Sequence, residues 1–232
     1  MDEMRDASLE LLVDLARPTS HDIVLDYSSG AGIASFAVAA EVHTVEAADE
    51  RPDMLDEGGR LARELALDNV EFTLVDLYAL PYADGAFTLV LCRNSFHLLP
   101  EPGAALAEML RVTSGGGRIV VVDPVVDDVT DKAFNDLARL REPAHRRHYT
   151  AEEVEGIAEG AGLRVARRGD TRRTIDLDYW LQAAAVPAAK AGLIRGRFRE
   201  LPVNVQMRMD IAFSDRSVSF SYDVAGLRLE RA

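Results

Sequence analysis

Short apolar runs alternate along the first two-thirds of the chain with segments whose apolar residues recur every three or four positions. The runs fall at 23–27, 42–47, 70–75, 87–92 and 118–123, and the helix-period segments at about 4–16, 32–40, 52–66, 102–112 and 150–161. Turn-forming clusters separate them: Asp68-Asn69, Ala83-Asp84-Gly85, Ser114-Gly115-Gly116-Gly117 and Gly160-Ala161-Gly162. Thr150 followed by Glu153 reads as a capping box opening the last of these helices. Strict alternation of strand and helix brings successive strands parallel and places helices on both faces. The expected fold is α/β, a Rossmann-like doubly wound sheet.

The last third has another rhythm. A strand near 163–169 leads into a helical stretch at about 177–200, split by Pro187. Met207, Met209, Ile211 and Phe213 then alternate with polar residues, and after Ser214-Asp215-Arg216-Ser217 the alternation resumes at Val218, Phe220, Tyr222 and Val224. Period two on both sides of a polar turn predicts an antiparallel pair. The sheet is therefore expected to be mostly parallel and seven-stranded, with an antiparallel final strand and a helical insertion before it. No repeat or linker interrupts the chain. We expect one domain over 1–232, with its core at about 4–170 and 205–232.

Composition narrows the function. The chain has 232 residues, 48% of them hydrophobic, enough for one well-packed domain and short for two. No apolar run approaches a membrane span, and the acidic opening Met1-Asp2-Glu3 is unlike a signal peptide, so a cytoplasmic enzyme or binding protein is expected. The single Cys92 excludes an internal disulfide or a multi-cysteine metal site. A net charge of −13 argues against nucleic acid and anionic membranes as partners, since both are polyanions. The basic clusters at Arg146-Arg147 and Arg195 to Arg199 read as solvated faces.

The chemistry concentrates at strand ends. Ile23-Val24-Leu25 runs into Asp26-Tyr27-Ser28-Ser29-Gly30-Ala31-Gly32 and then a small-residue helix from Ile33. A glycine turn at such a junction lets a ligand approach backbone, and the helix start offers unpaired N–H groups. Asp26, Asp49 and Asp76 follow the first, second and third strands. Ligands of open parallel sheets bind outside the carboxyl ends of the strands, so all three acids should face one crevice. A dinucleotide pyrophosphate would sit badly beside Asp26, and Ser35 stands where the dinucleotide fingerprint has its third glycine. A cationic ligand bearing a sulfonium, an ammonium, a ribose and an adenine suits three acids better.

The segments Val24-Leu25-Asp26, Gly30-Ala31-Gly32, Asp49 with Pro52-Asp53-Met54-Leu55, and Asp76 with Ala79-Leu80-Pro81-Tyr82 resemble class I S-adenosylmethionine-dependent methyltransferases. Asp84-Gly85-Ala86-Phe87 with Leu89-Val90, and Gly116-Gly117-Arg118 before Val120-Val121-Val122-Asp123, continue the likeness, which runs from about residue 8 to the C-terminus. The chain is most similar to the ubiquinone- and menaquinone-biosynthesis type, which acts on small molecules. The resemblance implies that S-adenosyl-L-methionine is the cofactor and a small-molecule acceptor the partner. By the same resemblance, Gly30 and Gly32, with Ser28 in the same loop, border the methionine moiety. Asp49 accepts from the ribose hydroxyls, Asp76 from the adenine amino group, Leu77 supplies a backbone N–H, and Met54 packs on the purine. The segment Cys92-Arg93-Asn94-Ser95-Phe96-His97 passes the methionine end and the reactive methyl. Arg141-Glu142-Pro143-Ala144-His145-Arg146-Arg147 resembles the family's Arg-Asp-Pro-Ser-His-Val-Arg stretch, which implies that His145 and Arg147 face inward.

Three departures stand out. The family usually has glycine or alanine where Ser28 stands, a small residue or cysteine near Ser29, and aspartate where Thr88 stands. Met1 also precedes Asp26 by only 25 positions, without the N-terminal helix that covers the cofactor in many relatives. A partner subunit, as in a homodimer, or the 177–200 insertion would then close the site.

Each side chain has a structural alternative. His97 is a candidate general base or a residue that orders the loop after the fourth strand. His145 rivals it as base, with Arg147 orienting an anionic acceptor, or the segment is a solvated basic turn. Cys92 reads as a buried strand residue. No metal is expected at the histidines at 97, 145 and 148, because their spacing lacks a carboxylate context. Trp180 is either core or a wall of the acceptor pocket. Two rival functions remain: a non-catalytic subunit that binds S-adenosylmethionine, and a nicotinamide-dependent oxidoreductase on a similar sheet.

Overall fold

The computed structural model describes residues 6–214 and 217–232. The opening Met1-Asp2-Glu3, the first two positions of the helix expected at 4–16, and Asp215 and Arg216 of the expected turn lie outside the described residues. Helix α1 (Ala7–Ala16) precedes β1 (Ile23–Tyr27), α2 (Ile33–Val38), β2 (Thr44–Asp49), α3 (Pro52–Glu64), β3 (Val70–Leu74), β4 (Phe87–Arg93), α4 (Pro102–Val112) and β5 (Thr113–Val125). Helices α5 (Asp131–Arg141) and α6 (Ala151–Gly160), strand β6 (Leu163–Asp176), helices α7 (Leu177–Gln182), α8 (Ala188–Glu200) and α9 (Val203–Arg208), and strands β7 (Ala212–Phe213) and β8 (Val218–Arg231) complete the order.

The main sheet runs β3-β2-β1-β4-β5-β8-β6, with the short β7 paired to β8. Pairs β1–β2, β2–β3, β1–β4 and β4–β5 are parallel, whereas β8 lies antiparallel between β5 and β6. The expected mostly parallel seven-stranded sheet is present, with β7 as a two-residue addition. Strand order reverses between β1 and β4, so a crevice opens beyond their carboxyl ends, the usual place for ligands. Two apolar layers sandwich the sheet. One joins α1, α2, α5 and the 177–208 helices through residues such as Leu12, Leu91, Phe198 and Phe220, and the other packs α4 and α6 through Leu106, Met109 and Val154.

Several elements sit where the sequence places them. Helix α4 spans the expected 102–112, and at α6 Thr150 accepts from the Glu153 N–H while Glu153 accepts from the Thr150 N–H, a complete capping box. The insertion breaks near Pro187 into α7 and α8 as expected. One expectation fails: of the alternation beginning at Met207 only Ala212–Phe213 is strand, because Met207 and Arg208 close helix α9 and a turn follows at Met209 and Asp210. Pro202 presets the chain for a helix start with φ −53°. Val205 and Met209, four apart, are buried on one helix face while Met207 is 73% exposed, so period 3.6 prevails over period two. Helix α5 was not anticipated, because its core-facing Phe134, Leu137 and Ala138 are sparse among charged neighbours.

Candidate active site

The β1–α2 loop is built by backbone geometry. Ser28, Gly30 and Gly32 all adopt positive φ, at 58°, 54° and 82°. A side chain at Gly32 would bring its Cβ to 2.7 Å from the Phe72 ring, so only glycine fits there. Ser28 holds a left-handed conformation that costs an L-residue roughly 1–2 kcal/mol and that glycine adopts freely. Asp26 is fully buried in β1 and accepts from the Ser35 N–H at 2.9 Å and the Ser35 hydroxyl at 2.6 Å. It ties α2 to the strand, and burial raises its pKa to about 6 against the lowering effect of the Ser35 bonds. Asp49, at the end of β2, accepts from the Gly30 N–H at 2.8 Å and the Arg51 N–H at 2.9 Å. The carboxylate thereby fixes both loops that flank the crevice.

A cavity of about 640 Å³ lies over these loops, within the range of small-molecule sites. Asp26, Ser28, Gly30, Asp49, Met54, Leu77, Arg93 and Asn94 all line it. Three expected residues stand differently. Gly32 is a turn element beneath the cavity and not part of its lining. Asp76 is exposed, accepts from the Tyr78 N–H at 2.8 Å and does not line the cavity. The Arg93 guanidinium is committed to Asp6 at 2.5 Å and to Ser8, which anchors the start of α1 at the cavity rim. Sequence reading missed Asp6 and Glu50, which also line it.

A second cavity, about 270 Å³, adjoins the first, and Asn94, Leu98 and Arg173 line both. His97 enters it from the loop after β4, with its Nδ1 at 2.8 Å from Asp123 Oδ2 and its backbone N–H donating to the same oxygen. The Arg146 and Arg147 N–H groups both donate to the His97 carbonyl, at 3.0 and 3.1 Å, which docks the 142–149 segment beside it. Asn135 on α5 accepts from the His148 N–H and bonds His145 Nε2 at 2.9 Å. The three histidine rings consequently cluster, with centroids 4.5–5.5 Å apart. Burial lowers the pKa of His145 to about 4 and holds that of His148 well below the ordinary histidine value, so both are neutral at neutral pH. The structure supplies, in Asp123, the carboxylate context that spacing did not reveal.

His145 faces this cavity, as the resemblance implies, but Arg147 does not. Its guanidinium turns outward to Glu153 at 2.9 Å and Asp131 at 3.5 Å and lies over the Tyr149 ring. Arg141 and Arg173 line the cavity instead. Trp180 is both wall and core: it lines the cavity and packs edge-on against Phe198 and Phe220. Cys92 is fully buried in β4, and burial pushes its thiol up to about 12, which excludes a nucleophile. Asp123 had a legible signal, since it ends an apolar strand run as Asp49 does. Arg173 had none, sitting mid-strand in β6.

A model of the methyltransferase domain matches residues 18–171. The chain is a class I S-adenosylmethionine-dependent methyltransferase. It is 28% identical over 182 residues to YcgJ, a methyltransferase of Bacillus subtilis (strain 168), covering 78% of this chain and 72% of that one. It is 30% identical over 166 residues to the protein YafE of Escherichia coli (strain K12), covering 71% and 80%. The crystal structure of YcgJ superposes with a TM-score of 0.86 at 24% identity over 97% of this chain and 98% of that one. A putative methyltransferase structure from Bacillus halodurans C-125 gives 0.88 at 24% identity over the same shares. The methyltransferase uses S-adenosylmethionine as its cofactor, and the nicotinamide reading is set aside. The first cavity fits that cofactor chemically: buried carboxylates, a glycine cradle against Met54 and an apolar flank match a ribose, an ammonium and a purine. Among the described residues, no helix is long and apolar enough to cross a membrane.

Proposed function

We propose that this methyltransferase methylates a small molecule seated in the second cavity, and that methyl transfer takes place at the junction formed by Asn94 and Leu98. The observation that carries this reading is the shared wall between the two cavities. Asp49 holds the ribose, Met54 and Leu77 flank the adenine, and the Ser28–Gly30 turn borders the methionine end. Asp76 stands at the rim, outside that set. When bound, the cofactor supplies a methyl group already activated by its sulfonium. The remaining task is alignment and exclusion of water, and orientation of this kind is worth roughly 7–11 kcal/mol of barrier.

His97 is the candidate base for a protonated acceptor. Asp123 holds its Nδ1–H, which leaves Nε2 as the basic nitrogen toward the cavity. His145 is neutral and bonded to Asn135, and it positions the acceptor. The reading is supported by a demethylmenaquinone methyltransferase of Clavibacter sepedonicus, 38% identical over 106 residues, 46% of this chain and 42% of that one. A paired substitution tests it. Asp49→Ala should weaken S-adenosylhomocysteine binding at least tenfold by calorimetry, since charged hydrogen bonds contribute roughly 1.5–3 kcal/mol each. Leu98→Trp should block the junction, keep that affinity within a few-fold and abolish methyl transfer to a panel of small acceptors. Undiminished transfer in Leu98→Trp would refute the shared junction.

A further inference from the structure

The second cavity has a charge pattern opposite to that of the whole chain. Arg141 and Arg173 line it, and Glu142 is the one carboxylate in the lining. Arg173 has partners: Asp6 at 3.4 Å and the Tyr222 hydroxyl at 3.2 Å. Arg141 has none of that kind. Its Nε–H donates to the Trp180 carbonyl at 2.8 Å and its guanidinium lies 4.8 Å from the Trp180 ring centroid. Among the described residues no carboxylate stands within ion-pair distance of it. Its sequence neighbour Glu142 acts on it only at longer range, and that carboxylate accepts from the Ala144 N–H at 3.4 Å. A largely buried cation without a counter-ion is unfavourable, and burial lowers its pKa accordingly. Such a guanidinium is completed by an anionic ligand, which it can hold with two parallel N–H bonds. The lining beside it includes the aromatic rings of Trp180, Phe134 and Tyr222, which suit an aromatic body.

Resting on the acceptor reading above, we propose that the cavity binds a planar acceptor carrying one anionic oxygen group, a carboxylate or a phenolate, paired with Arg141. The anion anchors the ring at the α5–α7 end of the cavity, while the methyl-accepting atom faces Leu98 and His97. Specificity for charge then resides in Arg141, and the neutral His145 and His148 discriminate little by charge.

Trp180 is the chain's single tryptophan, so its emission reports entry into this cavity directly. With the full chain saturated by S-adenosylhomocysteine, para-hydroxybenzoate and its neutral amide are titrated against that emission, in the parent, Arg141→Gln and Arg141→Lys. The carboxylate should bind at least tenfold more tightly than the amide in the parent. Arg141→Gln should bring the two to equal affinity without changing the amide's own, and Arg141→Lys should fall between. The amide serves as the control for an intact cavity, and the parent and Arg141→Lys suffice if the glutamine variant does not fold. Equal affinities in the parent, or a preference that survives Arg141→Gln, overturn the anionic acceptor and leave the small-molecule reading standing. Silence from both probes while S-adenosylhomocysteine still binds overturns both.

Discussion

The two cavities of this methyltransferase touch along one wall and are made in different ways. The larger is assembled by backbone: a turn with positive φ at its alternate positions 28, 30 and 32, and the Asp49 carboxylate, which holds amide groups of that turn and of the next loop. The smaller is assembled by side chains that arrive from the loop after β4, from β5, α5, the 142–148 segment, β6, α7 and β8. Its polar groups are fixed by one another, as with Asp123 on His97 and Asn135 on His145 and His148. A backbone-built site tolerates little variation in its loop. A side-chain-built site changes its specificity whenever one of several distant elements changes, which is how one fold serves many acceptors.

The largest expected effect separates them through stability. Trp180→Ala removes a wall of the second cavity and also a core ring in contact with Phe134, Phe198 and Phe220. Truncating such a residue costs about 3–5 kcal/mol. Urea unfolding should show that loss, while S-adenosylhomocysteine affinity of the folded fraction stays within a few-fold. Unchanged stability would make Trp180 a mobile wall, and a lost cofactor affinity would show that the cavities share one framework.

A second contrast is pH. Asp26, in the larger cavity, binds its proton more tightly when folded, with a pKa of about 6 against an ordinary 3.8. Its contribution to stability therefore falls as pH rises through that window, by up to about 3 kcal/mol. His145, in the second cavity, has its pKa lowered from 6.5 to about 4, so the unfolded chain binds the extra proton there and stability rises with pH. The two slopes oppose. Thermal unfolding from acid to neutral pH should steepen upward in Asp26→Asn and flatten in His145→Asn. Parallel profiles for both variants and the parent would contradict the burial of either group.

The smallest effect sharpens the backbone argument. Ser28→Gly relieves a left-handed serine but adds freedom to the unfolded chain, so it should raise stability by roughly 1 kcal/mol or less. A loss of stability in urea unfolding would mean that the Ser28 hydroxyl itself holds the loop.

The same contrast decides what was legible in the residues alone. Asp49, Gly30 and the strand order follow from short-range spacing, because a strand end, a turn and a helix start are contiguous in sequence. Asp76 obeys the same spacing yet stands outside the cavity, since its carboxylate turns to the Tyr78 N–H. Arg141 and Arg147 are equivalent by composition, and only packing distinguishes them: Glu153 at the capped start of α6 draws Arg147 outward. Arg173 sits on a strand of alternating polar residues, where nothing local marks it as different from Arg168 or Arg172. The end of helix α9 was hidden because Met207, Met209 and Ile211 mimic a period of two across the helix end and the turn after it.

The central claim is that the reactive end of the cofactor meets the second cavity at Asn94 and Leu98. A crystal structure of the full chain with S-adenosylhomocysteine tests it most directly. The account predicts the ribose hydroxyls on Asp49 and the sulfur facing the Asn94–Leu98 wall, open toward His97. A sulfur directed away from that wall, or a ribose away from Asp49, would contradict it.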